Sequence, residues 1–238
     1  MPQRKILITA GNTREPIDRV RDWGNIFTGN TGYAIARAMT PLAHVDLLTS
    51  NRAHLAQAPH DNITASPFTS HADLKSALAT LLARQKYDAI FMTAAVSDYR
   101  PTGVFQIINR TPAADGTEQW TVRNVQADKV KSNHGQIAIL GQATEKIIDL
   151  FRTEWRHTGL LFKFKLEVGI PKEELLKIAH QSRAASQADY LIANPLDMVE
   201  GQNAGAYLVS EKHEEFIPRP DLATRLADLL RIHWQAPA

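Results

Sequence analysis

"KILITAG", residues 5–11, is a short apolar run closed by a glycine. A continuous run of this length suits a strand buried on both faces, and a glycine directly after it marks the turn out. Two further runs, "AHVDLLTS" (43–50) and "YDAIFMTAA" (87–95), read the same way. Between them the spacing of apolar residues predicts helices over "TGYAIARAM" (31–39), with Pro41 beyond its end, and "SHADLKSALATLLARQ" (70–85), with Ser70 as its cap. The second half repeats the alternation. "ATEKIIDLFRTEW" (143–155) reads as helix and "GLLFKF" (159–164) as strand. "PKEELLKIAHQSRAAS" (171–186) is a helix opened by proline, and "ADYLIAN" (188–194) is a buried strand. "GAYLVS" and "EEFIPR" form a hairpin before an amphipathic helix, "PDLATRLADLLRIHW" (220–234). Strands alternating with helices define an α/β fold, a mostly parallel sheet with helices on both faces. Right-handed crossovers then bring the carboxyl ends of the strands, and any ligand, to one edge of the sheet.

Two segments fall outside this pattern. Residues 11–30 separate the first strand from the first helix by far more than the roughly 2–6 residues such a connection needs, which suggests a functional loop. Residues 99–142 hold "QII" and "WTV" around a Pro, Asp and Gly stretch, so a projecting hairpin is expected, with 103–127 a mobile or dimerisation insertion. Residues 54–69 read as a plain loop. The 238 residues, 44% of them apolar, fit a single domain over 1–238. A net charge of +2 without a basic stripe argues against a dedicated nucleic-acid binder. The chain has no cysteine, which excludes disulfides, thiolate metal sites and a cysteine nucleophile. The apolar part of the amino terminus, "ILITA", is too short for a signal-peptide core or a membrane span, so a cytoplasmic protein is expected.

The residues that could carry chemistry cluster where strands end. Gly11 follows the first strand, but Gly29 and Gly32 come much later, so a standard dinucleotide fingerprint is disfavoured. A Gly-rich turn that opens a helix still offers free N–H groups to a phosphate. "MTAAVSDYRP" (92–101) ends the third strand with Ala94 and Ala95, which leave room for a ligand, and with Asp98, which suits a ribose hydroxyl, a metal or a plain turn. "DKVKS" (128–132) places Lys129 and Lys131 on a loop, as solvated surface or as cations for a transferring phosphoryl group. The nine histidines show no paired ligand spacing, and no protein-built metal site is proposed. Without a G-x-S-x-G elbow, a hydrolase triad is unsupported.

Taken in order, these segments resemble the phosphopantothenate–cysteine ligase family, in the DNA/pantothenate metabolism flavoprotein superfamily. The family pattern runs "ITAGGTREPID", "SNxSSGxMGYALA", "AAVADYRP", "EKIKK", "GFAAET" and "LIVAN". The chain has "ITAGNTREPID" (8–18), "GNIFTGNTGYAIA" (24–36), "TAAVSDYRP" (93–101), "DKVKS" (128–132), "FKFKLEV" (162–168) and "YLIAN" (190–194). "FKLE" is more similar to stand-alone members than to fusions with a flavin decarboxylase, and no flavin domain is expected ahead of residue 1.

The resemblance implies a Rossmann-like sheet and a homodimer whose subunits share sites. It also implies a ligase joining 4′-phosphopantothenate to cysteine through an acyl nucleotidylate, with Mg²⁺ accompanying ATP or CTP. Asn25 then matches the asparagine that meets the acyl intermediate, and Lys129 the loop lysine that steadies charge during activation. Gly11, Gly29 and Gly32 match the phosphate turn, and Ala94, Ala95 and Asp98 the nucleotide and intermediate cradle. Phe164 matches an aromatic beside the base, and Asn194 ends the last matching strand. The chain departs from the pattern at Phe27 and Thr28, which replace two serines, and at Ser132, where "KVKS" leaves both ATP and CTP open. Ser182 and Ser186 stand where many members carry lysines, with Arg183 and Lys177 as the substitutes the sequence offers. These departures keep a second reading in view, a diverged relative that binds a nucleotide or acyl phosphate without ligation.

Overall fold

The computed structural model describes residues 3–58, 62–198 and 204–235. The first half runs β1 (Lys5–Ala10), β2 (Arg14–Pro16), β3 (Asp22–Gly24), α1 (Asn30–Met39), β4 (His44–Thr49), α2 (Arg52–Gln57), β5 (Ile63–Pro67), α3 (His71–Arg84) and β6 (Ala89–Met92). It continues with β7 (Tyr99–Pro112), β8 (Glu118–Asn124), β9 (Ile137–Ala143), α4 (Ile147–Thr153), β10 (Leu160–Glu167) and α5 (Lys172–Ala185). β11 (Tyr190–Pro195), β12 (Gly205–Val209), β13 (Glu214–Pro218) and α6 (Leu222–Gln235) complete it.

The main sheet has eight strands in the order β13-β12-β11-β10-β6-β1-β4-β5. β11, β10, β6, β1, β4 and β5 are parallel, and the β12–β13 hairpin is added antiparallel at one edge. This is the α/β arrangement that the alternation of strand and helix patterns predicts, and the Rossmann-like sheet that the resemblance implies. Ile6 to Ala10 of β1 are all buried, because strands covered by helices on both faces meet no water. Alternate side chains then feed two cores. Ile6, Ile8 and Ala10 pack with Ile35 and Met39 of α1 and Leu226 and Leu230 of α6. Leu7 packs on the other face with Leu74 and Leu78 of α3 and Phe151 of α4. Each fully buried side chain of this size stabilises the fold by roughly 1.5–3 kcal/mol. α3 begins as expected at Ser70, whose hydroxyl accepts from Asp73 N while the Asp73 carboxylate accepts from Ser70 N.

The structure corrects three readings. Residues 54–69 are no plain loop, since they contribute most of α2 and the edge strand β5, which pairs with β4 from Val45–Ile63 to Thr49–Pro67. His54 and Pro67 disguised them, although proline is tolerated at a sheet edge. The helix expected over 143–155 is shorter, Ile147–Thr153. Its first residues are held extended, with Thr144 N donating to Asp98 O at 2.9 Å and Thr144 Oγ1 to Ser97 O at 2.6 Å. Residues 99–142 form more than a hairpin: β8, β7 and β9 make a separate three-stranded antiparallel sheet. Within 11–30, Arg14–Pro16 pairs with Asp22–Gly24 as a two-stranded ribbon.

Candidate functional site

The excursion over residues 12–28 ends by returning to its starting point. Gly29 is left-handed (φ +82°), and a Cβ there would lie 2.0 Å from Gly11 N and 2.6 Å from Gly11 Cα. Only glycine lets the backbone of α1's first turn rest on the end of β1 this closely. Gly32 completes the contact, since a Cβ would meet Thr93 Oγ1 at 2.3 Å and Ala10 Cβ at 2.9 Å. The amino end of α1 has no side-chain cap. Its first N–H groups therefore stay open to an anion, with the positive end of the helix dipole behind them.

β1 and β6 continue beside each other past their ends. Ala95 N donates to Gly11 O at 2.9 Å and Thr13 N to Ala95 O at 3.1 Å, while Ser97 N donates to Thr13 Oγ1 at 2.7 Å. This carries Ala94 to Asp98 alongside the α1 turn. The Asn25 amide donates to Ala95 O at 3.3 Å, and Asn25 O accepts from the Asn12 side chain. One Nδ2 proton and Oδ1 of Asn25 remain for a ligand.

Together these groups border a cavity of about 870 Å³ at the carboxyl ends of β1, β6, β10 and β11. Of the residues singled out in the sequence, Gly11, Asn25, Gly29, Gly32, Ala94, Ala95, Asp98, Phe164 and Asn194 all line it. Phe27 lines it too, where hydroxyls were expected. Lys129 does not. It is exposed, on a loop that rests against the turn after β2. Arg19 N donates to Asp128 O at 3.0 Å, Val130 N to Asp18 Oδ2 at 3.1 Å, and Arg21 Nη2 to Val130 O at 2.7 Å. The Arg21 guanidinium, with the N–H groups of Val20, Val130 and Arg21, holds the Asp18 carboxyl far below the usual carboxylate range.

The sequence reading missed the cations of the cavity wall. Lys146, Lys163, Lys165 and Arg219 line it, facing the carboxylates Asp98, Glu145 and Asp197. Glu145 is drawn to Lys75 at 2.6 Å, Lys165 pairs with Glu167 at 3.0 Å, and Arg219 donates to Thr31 Oγ1 at 2.7 Å. Burial pushes the Lys163 ammonium below its ordinary value, and Lys146 and Lys165 add to the effect while Asp149 opposes it. The expected substitutes fail: Lys177 pairs with Glu174 at 3.6 Å, Arg183 donates to Ala188 O at 2.9 Å, and neither lines the cavity. The clue was "LLFKFK", since lysines that interrupt a buried strand near its carboxyl end point to a site.

No cluster of three or more His, Asp or Glu among the described residues is placed to hold a metal ion. No helix among them is long and apolar enough to cross a membrane.

Comparison with known proteins gives likenesses in sequence and in fold. Residues 1–111 match the DNA/pantothenate metabolism flavoprotein C-terminal domain. The coenzyme A biosynthesis bifunctional protein CoaBC of Thermococcus kodakarensis is 28% identical over 228 residues, 94% of this chain and 50% of that protein. The Bacillus subtilis CoaBC is 38% identical over 102 residues, 43% of this chain and 24% of that protein. The chain thus spans at most about half the length of these relatives. Among solved structures, the DNA/pantothenate metabolism flavoprotein from Streptococcus pneumoniae superposes with a TM-score of 0.78 at 27% identity, covering 97% of this chain and 99% of that one. A Cab2 variant in complex with phosphopantothenate-cysteine shares the fold, with a TM-score of 0.65 at 15% identity over 98% of this chain and 89% of that one. The motifs, the sheet and these likenesses coincide: residues 1–111 match the DNA/pantothenate metabolism flavoprotein C-terminal domain, and nearly the whole chain is similar in fold to a solved protein of that name.

Proposed function

We propose that this chain is a ligase of coenzyme A biosynthesis that joins 4′-phosphopantothenate to cysteine at the expense of a nucleoside triphosphate. One observation carries the reading: an amide, an uncapped helix start, a small-residue strand end and a cationic wall, far apart in sequence, border one cavity. The relatives named for coenzyme A biosynthesis support it.

In the first step a pantothenate carboxylate oxygen attacks the α-phosphorus, and the bond to the bridging oxygen breaks to release pyrophosphate. In the second, the cysteine amine attacks the acyl carbon, the nucleoside monophosphate leaves, and the amine gives up its proton. Negative charge gathers on the acyl oxygen as the amine adds. The free N–H of Asn25, fixed by its bond to Ala95 O, donates to that oxygen without losing a proton. The α1 turn receives phosphate oxygens on its N–H groups. Ala94 and Ala95 admit the nucleotide, and Asp98 and Asn194 supply polar contacts beside Phe164. Lys129 enters only if its loop leaves the turn at Asp18.

Mg²⁺ belongs to this reading as part of the nucleotide co-substrate, ATP or CTP. It binds mostly phosphate oxygens and water, so the few cavity carboxylates, Asp98 foremost, fit it. The reading also makes the chain a homodimer through its projecting sheet, which exposes Tyr99, Ile108, Trp120, Val122, Ile137 and Leu140. Analytical ultracentrifugation of the parent chain and of Trp120→Lys tests that assignment, and a monomeric parent sinks it.

The decisive assay is pyrophosphate release from phosphopantothenate with ATP or CTP, with and without cysteine. Release with either triphosphate is expected. The lack of release with any triphosphate would favour the second reading, a binding protein without ligation, which the phenyl ring of Phe27 in the cavity wall supports.

A further inference from the structure

His54, on α2, lies behind the cavity wall and takes no part in the proposed reaction. It is buried, and its ring stacks on Tyr33 of α1 with centroids 4.5 Å apart and planes 6° from parallel. Tyr33 OH donates to Gln57 O at 3.1 Å, which joins α1 to α2 at a second point. Burial pushes the imidazole below its ordinary value, so the ring is neutral at pH 7, with one nitrogen to donate and one to accept.

The neighbours of the ring decide which nitrogen does which. Thr49 Oγ1 accepts from Asn51 N at 3.1 Å, which leaves its own proton for His54 Nδ1 at 3.4 Å. The ring proton is then on Nε2, which donates to Asn30 Oδ1 at 3.1 Å. Asn51 Nδ2 also stands 3.4 Å from Nε2, but that amide is committed elsewhere. Its Oδ1 accepts from Ala53 N at 3.0 Å, and its Nδ2 donates to Thr28 O at 3.0 Å. Two ties from the start of α2 thus reach the α1 turn on either side of Gly29. Thr28 and Asn30 line the cavity, whereas Asn51 and His54 do not. With its oxygen taken from behind, Asn30 keeps both amide N–H groups, and no hydrogen bond among the described residues uses them.

We propose that His54 is a positioning residue: it grips the Asn30 amide by its oxygen and so presents the Asn30 N–H groups to an oxyanion bound at the α1 turn. The assignment rests on the ligase reading for the identity of that anion, a substrate phosphate, but its geometry calls only for a phosphate-like oxyanion. Released from His54, the amide would be free to turn its carbonyl oxygen toward the anion and repel it. Arg219, bonded to Thr31 at 2.7 Å, supplies charge beside the same turn whether or not His54 is present. A histidine that only fills the space beside Tyr33 is the competing account. The two accounts separate when the ring and the donor are exchanged independently.

The test is isothermal titration of the full chain with inorganic tripolyphosphate, beside thermal unfolding. His54→Phe keeps a ring on Tyr33 and loses the donor, and weakens tripolyphosphate binding by roughly fivefold or more. His54→Gln loses the ring and keeps a neutral donor and acceptor, and stays within about threefold of the parent although it unfolds at lower temperature than the parent. Asn30→Ala, at an exposed position, weakens binding as much as His54→Phe does. Adding His54→Phe to Asn30→Ala then costs less than about twofold more, because one residue acts through the other. A parent that binds no tripolyphosphate, a Phe or Ala variant with parental binding, a Gln variant as weak as Phe, or losses that multiply in the double variant overturns the proposal. Pyrophosphate release separates it from the ligase reading. Release by a parent whose anion binding ignores His54 sinks this assignment alone. An inert parent whose tripolyphosphate binding shows the coupled losses sinks the ligase reading alone.

Discussion

The two sides of the cavity are built from different materials. On the α1 side the ligand meets backbone N–H groups and the Asn25 amide, set by Gly29 resting on Gly11 and by a bond to Ala95 O. On the α4–α5 side it meets ammonium groups on long stems, Lys146 and Lys163, beside serines. The first side is rigid and held by contacts that tolerate no added atom, with Arg219 bonded to Thr31 as its cation. The second is charged and adjustable. Such a division suits a reaction in which one group must be positioned while another, highly charged, arrives and leaves. The loop of Lys129 is a third element, docked outside through Asp18.

The largest effect is expected on the α1 side. Asn25→Asp should lower turnover by about 10²–10³-fold while nucleotide affinity changes less than about threefold, because the donor is lost where charge develops. Steady-state kinetics beside nucleotide titration measures this, and equal losses in both would make Asn25 a binding residue like those opposite. Gly29→Ala should cost roughly 2–3 kcal/mol in denaturant unfolding, through its left-handed backbone and its clash with Gly11. A stability loss below about 0.5 kcal/mol would show that the α1 side is as adjustable as the lysine side.

Asp18→Asn probes the docked loop. The folded carboxyl titrates below its ordinary value of 3.8, so its stabilising effect is present above that pH and fades as pH falls toward the folded value. The variant should unfold at lower temperature than the parent at pH 7, and the gap should close below pH 3.8. A gap that persists in acid would assign the effect to shape rather than charge. Smallest is Ser70→Ala, which removes the α3 capping box far from both sides and should cost about 1 kcal/mol without altering tripolyphosphate binding. Altered binding there would mean that the two sides are coupled through the whole sheet.

How far the sequence could be read depended on the range of the forces involved. β1, α1, α3, α5 and the β12–β13 hairpin were legible because periodicity, caps and turn residues act within a few positions. β5 was missed because an edge strand needs little apolar character once β4 supplies its hydrogen-bonding partner. The candidate site was mostly legible, since Asn25, Asp98 and the glycines sit in patterned stretches at strand ends. The cations on the other side were not, because Lys146 and Lys163 belong to different elements and nothing local relates them.

The amino-acid sequence alone determined the alternating α/β pattern, the small residues that end β1 and β6, and the family resemblance. All three reside in short runs of residues. Only the tertiary structure decided that Gly29 returns to Gly11 and that Lys129 stands outside the cavity. It also decided that Lys163, rather than Arg183 or Lys177, faces the cavity beside α5. These outcomes depend on which strands become neighbours and on which face of a strand a side chain emerges. That choice belongs to the packed sheet as a whole.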